Sequence, residues 1–308
     1  MWNYILKHFF QALYILLGVI TVTFALLFII PGDPAKLILG QRADASSVET
    51  VREELGLNQP IYIQYIRYIS KAIRGDLGKS YITNRDVAKT IFEKFPATAL
   101  LSACSLLISA ILGIFFGIIS AVKSHTFLDN VSMIFALLGI SIPQFAFGLI
   151  LVLFFSSMMH WFPVSGYISD GAEYLILPMI TLSLRPLALI TRLTRSSLLD
   201  VLNKDYIRTA KAKGLSKSRV IIKHALRNSL NPVITTISAS LAATLGGAFF
   251  VEYIFNWPGI GLLAIDSIMK LDYPMIQGTV LFSSVIFVII NFLVDIIYAL
   301  LDPKVKLS

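Results

Sequence analysis

Few residues of this chain could do chemistry. Gly75-Asp76-Leu77-Gly78-Lys79-Ser80 sets a lysine and a hydroxyl behind two glycines, the ingredients of a loop that cradles phosphate. Such a loop requires a further glycine five residues before Gly78, and Ile73 stands there, so no nucleotide site is expected. His8, His125, His160 and His224 are scattered, with no carboxylates at ligand spacing, and Cys104 is the single cysteine. An intramolecular disulfide and a thiolate zinc cluster are therefore ruled out, and neither a catalytic residue nor a metal site is expected. What remains is a set of polar groups inside apolar runs, Gln144, Arg185, Asn291 and Asp295, and a basic segment over residues 196–231.

The elements that carry these groups are apolar to a degree that demands a lipid solvent. Of 308 residues, 56% are hydrophobic and 14% charged, with a mean hydropathy of +0.77. An ordinary soluble domain carries about 25% charged residues. The net charge of +8 is the surplus Lys and Arg of cytoplasmic loops rather than a nucleic-acid footprint. Apolar runs lie near 9–30, 98–122, 131–158, 174–193, 233–251 and 278–301, each near the ~20 residues that cross a bilayer as helix. Residues 159–173 hold no Lys or Arg, whereas 192–231 hold ten of them against Asp200 and Asp205, and Lys123 lies between the second and third runs. The positive-inside rule then puts both termini, with Lys7, Lys304 and Lys306, on the cytoplasmic side of a six-pass helical protein. The first run is too long for a secretory h-region of about 7–15 residues and lacks a small-x-small site, so it is read as a retained span.

Between the first two runs, residues 31–97 form an extracytoplasmic insertion. It opens on Pro31-Gly32-Asp33-Pro34, which cannot extend a helix, and continues with helical patterns over 47–55 and 62–73. Tyr62, Tyr65, Ile66 and Ile69 give the second of these an apolar stripe. The division expected is 1–97, a helix plus cap, and 98–302, the remaining spans with their basic loop.

Two features suggest that the spans accommodate something polar. Arg185 falls mid-run, where a charge costs at least about 2.5 kcal/mol unless it snorkels, pairs or meets water. Ser, Thr, Ala and Gly crowd 233–251, including Gly246 and Gly247, which suits close helix approach or a pathway wall. Gln144, Arg185, Gly246 and Gly247 are the expected pathway residues, with an Arg185–Asp295 ion pair as the structural alternative. Gly113 and Gly117 read as a close helix contact.

In the basic loop, Leu198, Leu202, Tyr206 and Ala210 recur every four residues as one apolar stripe. Gly214 stands where a left-handed helix end favours glycine, and Ser216 where a second helix would be capped. A helix, turn, helix results, suited either to anionic lipid or to a groove on a soluble partner.

The stretch DYIRTAKAKGLSKSRVIIKHALRNSLNP resembles the cytoplasmic coupling loop of ABC-importer permeases. Its general pattern, Glu-Ala-Ala-x-x-x-Gly-x9-Ile-x-Leu-Pro, aligned on Gly214, falls on Arg208, Thr209 and Ala210, then His224, Leu226 and Arg227. The alanine, glycine and leucine match, and the departures resemble the peptide and nickel branch of that family. So do IPGDP, LGLNQP, GDLGKSY, LLGISIPQF, RLTRSSLLDVL, FNWPGIGLL, DYPMIQG and LVDIIYALLDPKVK, in order along the whole chain. Several ordered motifs are more specific than one.

The resemblance implies the first, B-type, permease subunit of a binding-protein-dependent importer in a bacterial inner membrane, with the type I, MetI-like fold. It implies as partners a second homologous permease, two cytoplasmic ATPases that hold ATP and Mg, and an extracytoplasmic solute-binding protein, with no cofactor on this chain. It assigns ATPase coupling to Tyr206, Arg208, Thr209, Ala210, Lys211, Ala212, Gly214, Leu215, His224 and Leu226. The solute is read as a short peptide, with glutathione and nickel or a metal chelate as alternatives. An ion-coupled secondary transporter is the rival from another class, although no internal repeat is evident.

Overall fold

A computed structural model describes residues 2–29, 34–39, 44–246 and 248–301. Among them the chain is helical, with one isolated bridge between Lys79 and Asp86. In chain order the helices are α1 (Trp2–Ile29), α2 (Pro34–Leu39), α3 (Ala45–Leu55), α4 (Ile61–Ile73), α5 (Val87–Val122), α6 (Phe127–Ser141) and α7 (Gln144–Leu151). A π-helical turn, Val152–Met158, extends α7. They continue as α8 (Ile176–Leu202), α9 (Asp205–Ala212), α10 (Lys217–Arg219), α11 (Arg227–Ser229), α12 (Asn231–Leu245), α13 (Phe249–Ile254), α14 (Ile260–Met269) and α15 (Tyr273–Leu301). A second π-helical turn, Val220–Leu226, joins α10 to α11.

Two compact units share these helices. The first comprises the chain up to Thr98 together with Pro258–Val288. Here α3 starts on Asp44, whose carboxylate accepts the Ser47 N–H at 3.1 Å, and ends on Gly56 at φ +69°, a conformation that costs glycine little. Helix α4 differs from its expected stripe: Tyr62 and Ile66 are exposed, whereas Tyr65 and Tyr68 turn toward Phe24 of α1, with ring centroids 5.2 and 6.0 Å away. The Tyr65 hydroxyl also meets Thr21 Oγ1 at 2.6 Å. An i, i+3, i+4 stripe fixes that a helix has an apolar face, but the position of its neighbour decides which edge of that face is covered.

The core of this unit is Val87, Ile91, Ile260 and Met275, with Phe95 and Phe282 packed against it. Phe282 meets Phe92 and Phe95 edge-on at 5.4 and 5.3 Å. Gly278 is required there, because a Cβ would come within 2.4 Å of Val87 Cγ1. Ser80, buried, hydrogen-bonds the Asp272 carboxylate, which also accepts the Tyr81 N–H at 3.0 Å. The serine of the phosphate-loop-like sequence is thus part of a structural clamp.

The second unit comprises Ala99–Trp257 and the described residues from Ile289 to Leu301, and α8 is its axis. A Cβ on Gly117 of α5 would sit 2.5 Å from Thr194 Cβ and 2.8 Å from Thr191 O, and one on Gly113 would sit 2.8 Å from Ile190 Cγ2. The glycine pair therefore serves close packing of α5 on α8, and Ser109 Oγ, donating to Ser183 O at 2.9 Å, adds a hydrogen bond. Gly139 of α6 and Gly148 of α7 approach α8 at Ala188 and Thr181 in the same way.

Among the described residues, three helical stretches are long and apolar enough to cross a membrane: Val87–Val122, Ala172–Leu202 and Tyr273–Val294. The run read as the third span is broken at Ile142-Pro143, where Phe127–Ser141 and Gln144–Met158 meet at 106°. Proline lacks the N–H that would continue the ladder, and it holds Ile142 in extended backbone, ψ 126°. Helix α12 covers 15 residues, about 22 Å, before Gly246 ends it.

Candidate functional site

The basic loop folds as an arm clamped to the end of α8. Leu198, Ile207, Ala210, Val220 and Ala225 are buried together with Ala121 of α5, and Ile118, Leu202 and Leu215 pack around them. The expected stripe is interrupted at Asn203-Lys204, where Lys204 is extended (ψ 149°) and α9 begins in a new register. Ile207 therefore takes the inward position and Tyr206, 45% exposed, lies outside. Asn228 Nδ2 donates to the Tyr206 hydroxyl at 3.1 Å, tying α9 to α11.

Gly214 has φ +75°, as its place after α9 required, and Leu215 N–H returns to Ala210 O at 3.4 Å. Ser216 precedes α10 as expected, but its hydroxyl accepts no helix N–H to cap it. The result is an outward surface of Tyr206, Arg208, Thr209, Lys211, Ala212 and Gly214 on a buried apolar base. His224 and Leu226, half-buried, belong to the second π-helical turn and are not part of that surface. Arg208 and Asp205 approach at 3.6 Å but are exposed by 76% and 95%, so the pair contributes little.

Sequence reasoning missed the group that anchors this base. Asp129, at the start of α6, is 3% exposed in its side chain and receives both forks of Arg195 on α8, Nε at 2.6 Å and Nη2 at 2.7 Å. Ser120 of α5 hydrogen-bonds the same carboxylate, and the His125 N–H donates to it at 2.9 Å. Three helices are thereby held at one charge. The available signal was an acid opening the third apolar run and an arginine closing the fourth.

The expected pathway residues Gln144 and Arg185 come together. Two cavities, about 370 and 430 Å³, are both lined by Gln144, Arg185 and Ala248. The first is walled by the α6/α7 break and by Phe249–Val251, the second by Thr236, Ser240 and Thr244 of α12. Gln144 is fixed by donation from Nε2 to Leu182 O at 3.3 Å. Its neighbours in the first turn of α7 have N–H groups without intrahelical partners. The α12 hydroxyls donate to carbonyls one turn back, as in Ser240 to Thr236 O at 2.8 Å, which leaves their lone pairs available. Arg185 is exposed and makes no hydrogen bond or ion pair with any described residue. Gly246 ends α12 just before Ala248 without lining either cavity, while Gly247 and the Asp295 side chain lie outside the described residues. A larger groove, about 910 Å³, is walled mainly by apolar side chains such as Phe116, Leu128, Phe135 and Leu187, with Lys123 and Lys217 also lining it.

Among the described residues no cluster of three or more His, Cys, Asp or Glu could hold a metal. A family model described as binding-protein-dependent transport system inner membrane component matches residues 113–307, and the model of its N-terminal region matches 1–102. Over 306 residues the chain is 42% identical to the glutathione transport system permease protein GsiC of Escherichia coli strain K12, covering 99% of both chains. The protein of the same name from Shigella flexneri serotype 5b shows the same identity and coverage. The fold is similar to that of a chain in an inward-facing structure of the MetNI methionine ABC transporter, with TM-score 0.55 and 15% identity over 69% of this chain and 96% of that one.

Proposed function

The chain belongs to the binding-protein-dependent transport system inner membrane components, the permeases of ATP-driven (ABC) importers, and from that premise we propose that it forms half of a solute pathway coupled through α9 to a cytoplasmic ATPase. The observation that carries the coupling is the arm itself. An exposed polar surface on α9 stands on a base sealed by Ile207 and Ala210, so a force applied to α9 reaches α8 and α5 through packed side chains. Free lipid association would call for the apolar side of such a helix to face outward, and here that side is buried.

The complete assembly in this reading has a second homologous permease, two ATPase subunits holding ATP and Mg, and an extracytoplasmic binding protein. This chain holds no cofactor of its own and hydrolyses nothing. Six passes, with α6 and α7 as one bent pass and both termini cytoplasmic, put the arm beside the ATPases in a bacterial inner membrane and residues 31–97 on the opposite side. The expected site residues of the arm, from Tyr206 to Leu226, divide between contact and support: Arg208, Thr209, Lys211 and Ala212 meet the ATPase, Ala210 and Leu215 hold the base. The solute is a short peptide, and the relatives named for glutathione transport favour a tripeptide of that kind.

Reconstitution of the full complex in proteoliposomes tests the reading. Uptake of labelled glutathione or tri-alanine is expected only with the binding protein outside and ATP inside, and unchanged when ion gradients are collapsed. Uptake that follows an ion gradient without nucleotide would transfer the chain to the secondary transporters.

A further inference from the structure

We propose that Arg185, with Gln144 and the hydroxyls of α12, forms a relay site for the carboxylate of the passing solute, so that this pathway selects carboxylate-bearing molecules and repels bare metal cations. The inference rests on the importer reading and names the chemistry of the site within it.

Arg185 lies ten residues before Arg195, about 15 Å along α8 from the Asp129–Arg195 pair near the basic loop. That places a planar guanidinium cation deep in the span. An ionisable group at such depth is retained where it meets water, a partner charge or a ligand. Among the described residues no partner charge is present.

Arg185 lines both of these cavities, which also share Gln144. Around it stand an amide held in place by the Leu182 carbonyl and hydroxyls aligned along α12 at Thr236, Ser240 and Thr244. Among the described residues no carboxylate, imidazole or thiol lines either cavity, so the described lining offers none of the side-chain ligands that nickel prefers and carries one fixed positive charge. A planar guanidinium fork is the protein's best match to a carboxylate. Because the hydroxyls already donate to helix carbonyls, they hold the solute weakly, which lets it leave as well as enter.

The test reads the electrostatics of the cavity in the full complex in proteoliposomes. In a Cys104→Ser background, Ser240→Cys supplies a reporter thiol, with Ala239→Cys as a second position. Labelling of this chain is followed with an anionic sulfonate and a cationic trimethylammonium methanethiosulfonate, each normalised to a free thiol. With Arg185 present the anionic reagent is expected to be favoured about tenfold. Arg185→Gln brings the ratio to about one, and Arg185→Lys retains the preference. Tri-alanine slows the labelling whereas tri-alanine amide does not.

A ratio unchanged in Arg185→Gln, a thiol that neither reagent reaches at both positions, or equal protection by the acid and the amide would each overturn the carboxylate site. ATP-driven uptake, measured on the same vesicles, separates the two readings. Its persistence alongside a failed ratio removes the relay site alone, whereas its absence in the native sequence removes the importer reading.

Discussion

Gly214→Val is expected to lower ATP-driven uptake by about tenfold or more while leaving the protein in the membrane at close to its normal level. At φ +75° a β-branched residue is strained by about 1–3 kcal/mol. A Cβ built there meets nothing within 4 Å, so the penalty arises from the backbone alone and is relieved by rotating the turn. That rotation redirects α9 against α10 and displaces the outward surface, while the buried base of Leu198, Ile207 and Val220 keeps the fold. The drop is to be measured in reconstituted complexes together with transport-stimulated ATPase activity, and both are expected to fall. Gly214→Asn, which tolerates the left-handed region, is expected to retain most of the uptake. Normal uptake by the valine variant would remove the turn from the coupling mechanism.

The second large effect is on stability. Asp129→Ala leaves Arg195 without its partner and also strips the Ser120 hydroxyl and the His125 N–H of their acceptor. Breaking a buried pair costs about 3–5 kcal/mol. Arg195, with 23% of its side chain exposed, can turn partly toward water, which puts the cost near 3 kcal/mol. Thermal unfolding of the detergent-solubilised chain should register it as a melting point lower by several degrees. The double variant Asp129→Leu with Arg195→Met is expected to recover most of the loss, because no unpaired charge then remains. An unshifted melting point in Asp129→Ala would show that the three helix ends are held by packing alone.

What could be read from the sequence, and what could not, separates along physical lines. Local rules succeeded. The Gly214 turn and the close approach at Gly113 and Gly117 are backbone requirements written in single residues, whereas the breaker expected from Pro31 to Asp33 lies outside the described residues. The family, too, was legible, because ordered motifs along the whole length leave little room for coincidence.

Contacts between distant residues were less accessible. Nothing in a four-residue period announces that Asn203-Lys204 resets the register and exchanges Tyr206 for Ile207. A proline at 143 is able to interrupt a helix, yet the 106° angle depends on how α7 packs against α8, at Gly148 on Thr181. Asp129 and Arg195 are 66 residues apart, and only the antiparallel return of the chain brings an acid at one end of a helix beside a base at the end of another. Arg185 was noticed for its cost and Gln144 for its polarity, but their shared cavity needed the bend to exist. The wall completing that cavity, Ala248–Val251, was read as the end of a fifth span, and the chain instead starts the separate helix α13 at Phe249.

The claim on which the account turns is that α9 is held by an ATPase. A photo-crosslinker placed at Arg208, exposed on α9, addresses it in the intact complex with and without ATP. The account predicts a crosslink to an ATPase subunit in both states, with a yield that changes between them. Crosslinks to lipid alone, in every nucleotide state, would contradict it.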